Sequence, residues 1–406
     1  MPPAVSAAPQ ADASRRRYVF PNAMLLLLLG CGSLTPTPEP VLPFEQRPIT
    51  AEGAARAFPS DRVRDRAGWA TDLHAVLVAH AIPATNGNAC AAVAAVEQES
   101  GYAADPAVPG MGTMIDTWIA EKQESMGKVS GWALGAGLRA VLDGKPKGQT
   151  RSFYERLQAS KTERDVDLVF RELVETQRSR LPAPLRQAEV AAQFVGLDLD
   201  DLNPITTAGC LQVKVDFAED HARDHGTDRA LVRDQLYTRA GCLHYGVVRL
   251  LDWDAGYDKP LYRFADYNAG LYASRNAAFQ EQVAALSGAK LALDGDLLRY
   301  TEGGRPASEP SQTLTAVLGV VAKSGLDLTE TRVRRDLGKE KTRQFEETDT
   351  WTAVRDLYAA KLKKEPAYAR LPDVHLDSIK LSGDRTTAWF AQGVDRRYQA
   401  CLTRLK

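Results

Sequence analysis

From Ser60 to the C-terminus the dominant pattern in this 406-residue chain is helical, with apolar residues three and four apart and proline or glycine breaking the runs. Strand-like alternation is scarce, so a mostly α fold is predicted. The length allows two or three domains and a sizeable core. One helix is expected over 61–82, capped by Ser60 and stopped by Pro83. The next should run from Asn86 to Ser100 and stop at Gly101. Residues 103–205 read as a large insertion of helices, clearest at 112–126 and 163–177 and broken at Gly144-Lys145-Pro146 and Pro182-Ala183-Pro184. Residues 302–310 read as a linker, and helices follow at 312–325, 350–364 and 387–405.

The N-terminus bears on location. Arg15, Arg16 and Arg17 precede an apolar run from Tyr18 to Gly30, too short for a comfortable membrane span, and the run ends in 25-LLLLLGC-31. Leu28-Leu29-Gly30-Cys31 resembles a bacterial lipobox. That resemblance implies a signal peptide over 1–30, cleavage before Cys31, and lipidation (palmitate included) of Cys31 as a membrane anchor. Gly32 stands where a retained inner-membrane lipoprotein typically carries Asp, which implies the outer membrane. The alternative is a plain export signal or a buried helix. Pro36, Pro38, Pro40, Pro43 and Pro48 then predict an extended tether over 31–60.

A net charge of −1, from 51 basic and 52 acidic residues, gives no overall pull toward nucleic acid. Besides Cys31 there are Cys90, Cys210, Cys242 and Cys401. In an oxidising compartment they can form two disulfides, in any of three pairings. No pair has Cys-x-x-Cys spacing, and no metal or cofactor is expected. His221 and His225 have helical spacing, but Ala222 stands where a metalloprotease motif needs Glu, so a solvated helix face is expected. The acidic run 197-LDLDDLN-203 lacks the glycine and closing glutamate of a calcium loop and reads as a capping turn. Trp69, Trp118, Trp253, Trp351 and Trp389 could stack sugars, but core packing is the better default.

The stretch 94-AVEQESGYAADP-105 holds two glutamates. At about 100° per residue, with Ala92 at zero, Ala89, Ala95 and Val96 fall within about 60° of one face. Glu99 falls near −20°, inside that face, and Glu97 near 140°, roughly opposite. Glu97 should therefore be solvated, and Glu99 should pack inward. Burial and the negative end of the helix dipole both favour a protonated Glu99, as a general acid requires. The structural alternative is a surface or arginine-paired glutamate.

The segment 96-VEQESGY-102 resembles the Glu-Ser motif of the lysozyme-like soluble lytic transglycosylases, with Glu99 at the catalytic position. The helix pair 70–100 is similar to that family's approach to its site. Gly209 and Gln212 in 208-AGCLQVKVDFA-218 match its Gly-x-x-Gln motif. The segment 245-YGVVRLLDW-253 resembles the following helix, and Tyr267-Asn268-Ala269-Gly270 matches a Tyr-Asn-Ala-Gly motif. The match covers about 150 residues by motif order. It implies a lysozyme-like domain over 61–300, interrupted by the insertion, and a helical C-terminal region over 311–406. It also implies that Glu99 protonates the bond between N-acetylmuramate and N-acetylglucosamine in peptidoglycan and then closes an anhydro ring. Ser100, Gly209, Gln212, Tyr267 and Asn268 would bind or frame the sugar. No second catalytic Asp is evident, as expected when the substrate supplies the nucleophile. About 110 residues separate Glu99 from Gly209, far more than in the family's simple members. The ending 386-TTAWFAQGVDRRYQACL-402 resembles an uncharacterised family of proteobacterial outer-membrane lipoproteins. Two functions follow as expectations: a lipid-anchored peptidoglycan-cleaving enzyme, or a silent lysozyme-like lipoprotein that binds glycan or an envelope protein such as a transporter.

Overall fold

The computed structural model describes residues 42–130, 138–180, 203–301, 305–375 and 385–406. The expected signal peptide over 1–30, Cys31 and most of the 197–203 run lie outside these residues. The described fold is mostly α. Its first helices are α1 (Ala51–Ala54), α2 (Arg66–Ala79) and α3 (Asn86–Ser100). The inserted stretch contributes α4 (Met111–Ser130), α5 (Phe153–Ala159) and α6 (Glu163–Arg180). A short antiparallel hairpin follows, β1 (Thr207–Ala208) and β2 (Val213–Lys214), with Thr207 opposite Lys214. Then come α7 (Val215–Asp224), α8 (Arg229–Leu236), α9 (Arg239–Leu251), α10 (Pro260–Ala269) and α11 (Ala273–Ser287). The chain ends with α12 (Gln312–Ser324), α13 (Glu330–Leu337), α14 (Asp349–Leu362) and α15 (Thr387–Leu405). Among the described residues no helix is long and apolar enough to cross a membrane.

Helix α3 has the bounds its sequence predicts. Thr85 caps it by accepting from the Asn88 amide, and Gly101 ends it in the left-handed region at φ 59°. Helix α2 starts later than expected. Pro59 first holds a turn, accepting from the Val63 amide, and Asp65 rather than Ser60 caps the helix by accepting from Gly68. The tether is shorter than expected as well. Thr50 caps α1, and Ile49, Ala54, Ala57 and Phe58 are buried in the core, so residues 44–58 are packed structure. Burying these apolar side chains outweighs the extended bias of the prolines around them.

The described residues form two hydrophobic cores. The first gathers α2, α3, the inserted helices, the hairpin, α9 and α10, together with Phe390, Val394 and Leu402 of α15. The second holds Phe279 and Val283 of α11, Leu314 and Val317 of α12, Val333, Phe345 and Trp351. The cores therefore do not divide at the 302–310 segment as expected. Helix α11 joins the second core from before it, and α15 returns to the first from after it. In the second lobe the Arg275 side chain is fully buried. Its guanidinium donates to the Thr342 and Glu340 carbonyls and lies 4.2 Å from the Tyr272 ring centroid. Burial without loss of hydrogen bonds makes that charge tolerable.

Helices α3 and α15 run antiparallel and close together. A disulfide joins Cys90 to Cys401. Two turns further along α3, Gln98 meets Gly393, where an added Cβ would stand 2.8 Å from the Gln98 Oε1. The second disulfide joins Cys210 to Cys242, settling which of the three pairings the fold adopts.

Candidate active site

Glu99 sits half-buried in the last turn of α3. Its carboxylate, after burial itself, is the next cause pushing the Tyr267 hydroxyl upward, which puts the two groups within electrostatic reach. Glu97 departs from expectation. Its side chain is only 12% exposed; it takes a 2.8 Å ion pair from Arg62 and a 2.9 Å hydrogen bond from the Tyr102 hydroxyl. Arg397 of α15 lies 3.7 Å away. The reason is that α3 is buried continuously from Ala89 to Val96, so it has no solvent face for Glu97 to occupy. Ser100 does not project into a site: its hydroxyl donates back to the Val96 carbonyl at 3.1 Å. Gly101 and Tyr102 both have positive φ, 59° and 73°, and turn the chain sharply away after Ser100. Tyr102 then anchors edge-on to Phe58 and Trp69.

Gly209, Cys210, Leu211 and Gln212 form the turn of the hairpin, with Gln212 N–H donating to the Gly209 carbonyl at 3.0 Å. Gly209 has φ 79°, and a Cβ there would stand 2.1 Å from the Leu236 carbonyl oxygen. Its close approach is thus to the chain's own backbone rather than to a ligand. Gln212, also at positive φ, is held on several sides. Its Nε2 donates to Glu163 at 2.9 Å and to the Gly209 carbonyl at 3.3 Å, and its Oε1 accepts from the Thr207 hydroxyl at 3.1 Å. Glu163, at the start of α6, is itself buried. The turn is clamped to α9 by the Cys210–Cys242 disulfide and by Leu211, which fills the space that Gly246 leaves open.

Tyr267 joins these pieces. Its hydroxyl donates to the Leu211 carbonyl at 2.6 Å, and burial followed by the Glu99 carboxylate raises its pKa. The Arg249 guanidinium acts on it in the opposite sense. Arg249, on α9, is pulled below the ordinary arginine range by burial and lies 5.7 Å from the Phe217 ring centroid. Arg249 was not legible as a site residue; an arginine on a helix carries no motif. Asn268 is exposed and its Oδ1 accepts from the Thr387 hydroxyl at the start of α15 at 3.2 Å. Earlier on α10, Asp266 is fully buried. Burial lifts it to about 6, while the Ser274 amide and the Tyr257 hydroxyl donate to it.

A cavity of about 700 Å³ opens at the other end of α3, lined by Thr85, Asn88, Ala91, Trp253, Tyr257 and Arg263 among others, but not by Glu99. Glu99 lies about 12 Å further along the helix than Ala91. Trp253 therefore faces a cavity. Trp69 and Trp351 are core residues, Trp118 packs on the first core, and Trp389 is exposed under Arg385. His225 is exposed, as a solvated face requires, but His221 is half-buried against His80 and His244.

Fold and site together define a disulfide-bonded helical protein in which the end of α3, the hairpin turn and α10 converge. The chain belongs to the family described as "Protein of unknown function (DUF1615)", which matches residues 62–404. It is 35% identical over 379 residues to "Uncharacterized protein YaiW" of Escherichia coli (strain K12), a match covering 93% of this chain and 96% of that protein. No solved structure matches it significantly.

Proposed function

We propose that this protein is an envelope lipoprotein with a lysozyme-like, lytic-transglycosylase-like site in which Glu99 is both general acid and general base. The observation that carries the reading is the position of Tyr267. Its hydroxyl rests on the Leu211 carbonyl of the Gly-x-x-Gln turn, and the Glu99 carboxylate acts on it electrostatically, which supports a common site for three motif pieces distant in sequence. Glu99 would protonate the oxygen between N-acetylmuramate and N-acetylglucosamine. The same carboxylate would then take the proton of the muramate 6-hydroxyl as that oxygen closes onto C1, giving the anhydro sugar. No water is consumed, and one carboxyl serves both steps. Arg249 would hold positive charge near the site while Tyr267 fixes the turn. Lipidated Cys31 would anchor the protein to the outer membrane; the lipobox resemblance supports that.

A second reading has its own observation. Gln212, expected to touch sugar, is held by Glu163, Gly209 and Thr207, and the cavity lined by Trp253 excludes Glu99. That favours a silent lysozyme-like lipoprotein that binds glycan or an envelope protein. Release of anhydro-muropeptides from purified sacculi by the parent and by Glu99→Gln separates the two.

A further inference from the structure

Four of the chain's six histidines gather in one place. His80 is the residue that caps the C-terminus of α2, His221 and His225 come from the end of α7, and His244 from α9. One nitrogen from each of His80, His221 and His244 lies within 4.8 Å of the others. The His80 Nε2 and His244 Nδ1 are 3.3 Å apart. Two nitrogens bound to one tetrahedral zinc at about 2.0–2.1 Å stand about 3.3–3.4 Å apart, so this pair already has a chelating separation.

We propose that His80, His221 and His244 form a binding site for a divalent transition-metal ion of the zinc class. Two independent features support it. The His221 Nε2 is buried with no hydrogen-bond partner, which is costly for a polar atom unless a ligand meets it. In addition, the Asp252 carboxylate stands 3.8 Å from the His80 Nδ1, on the ring edge away from His244. A carboxylate on that side can orient a metal-bound imidazole once it closes to hydrogen-bond distance. A neutral imidazole offers a lone pair to a metal ion, so each of the three rings can supply one nitrogen ligand. An all-imidazole set suits zinc, copper(II) or nickel(II) rather than magnesium or calcium. His225, its ring centroid 4.1 Å from that of His221, is the nearest further nitrogen donor.

Phe217 lies between this cluster and Arg249: its ring stacks on His221 at 6.1 Å and stands 5.7 Å from the Arg249 guanidinium carbon. The test uses the full chain without a polyhistidine tag, stripped of metal, titrated calorimetrically with zinc chloride. One equivalent should bind with a Kd of about 1 µM or tighter, raising the thermal midpoint. His221→Ala and His244→Ala should each weaken binding at least tenfold. Circular dichroism checks that they fold. If they do not, the cobalt(II) form of the parent must show the visible spectrum of a nitrogen-rich, four- or five-coordinate site. Absence of saturable binding by the parent, or equal affinity in folded variants, would overturn the assignment, as would an octahedral cobalt spectrum.

Discussion

The Gln212 amide nitrogen lies 2.9 Å from a carboxylate oxygen of Glu163, a residue 49 positions earlier at the head of an inserted helix. This bond ties the Gly-x-x-Gln turn to the insertion that separates it from Glu99. It holds the Gln212 side chain against the scaffold and gives the insertion a structural task. Asp167, one turn further along α6, extends the same attachment: it is fully buried and bonded to Asn203 and Arg233 at 2.7 and 3.0 Å.

Gln212→Ala should lower stability by about 1.5–3 kcal/mol, the range for a hydrogen bond to a charged group. Urea unfolding of Gln212→Ala, Glu163→Gln and the double variant should show coupling, because each single change leaves the other partner unmatched. An unchanged midpoint in Gln212→Ala would return the residue to ligand binding.

The Cys90–Cys401 bond joins residues 311 positions apart and pins α15 against α3. The double variant Cys90→Ala/Cys401→Ala should lose about 2–5 kcal/mol. Amide exchange should quicken first in 387–405. Faster exchange confined to other helices would contradict the packing described.

Two glycines in positive φ should respond differently to alanine. Gly101 has nothing within 4 Å of an added Cβ, so Gly101→Ala should cost only the left-handed penalty, about 1–2 kcal/mol. Gly209→Ala adds a collision with the Leu236 backbone and should cost more than about 3 kcal/mol. Thermal unfolding of the two variants measures the difference.

Glu340 is fully buried, and burial lifts its carboxyl to about 7 from an ordinary 4.5. The folded state holds that proton more tightly than the unfolded chain. Its contribution to stability is therefore full below about pH 4.5 and is lost as pH rises through about 7. The loss is on the order of 3 kcal/mol. Asp266, raised to about 6, acts in the same direction. Glu340→Gln should raise the thermal midpoint relative to the parent at pH 8 and lose that advantage at pH 4.5. A pH-independent difference would contradict the burial account.

Local signals proved legible where one helix carries its own caps and period. Asn86–Ser100 with Gly101, Gln312–Ser324 and Thr387–Leu405 each follow from a capping Thr or Ser, apolar spacing and, for the first two, a closing glycine. What the sequence could not reveal depends on partners far away in the chain. Helical phase left Glu97 in solvent because the phase carries no record of Arg62, Arg397 and Tyr102 closing over it. His80, His221 and His244 share no spacing, and only the packing of α2, α7 and α9 brings them together. Gln212 matched a motif, yet its side chain is bonded to Glu163 on an element the motif does not include.

The most direct measurement of the central claim is digestion of purified sacculi by the parent protein and by Glu99→Gln, with soluble products separated by mass. The account predicts anhydro-muropeptides from the parent and a loss of about a hundredfold or more in the variant, the scale of losing a general acid. Equal release by both proteins would contradict the role of Glu99. No release by the folded parent on several kinds of sacculus would contradict the enzymatic reading and leave the binding one.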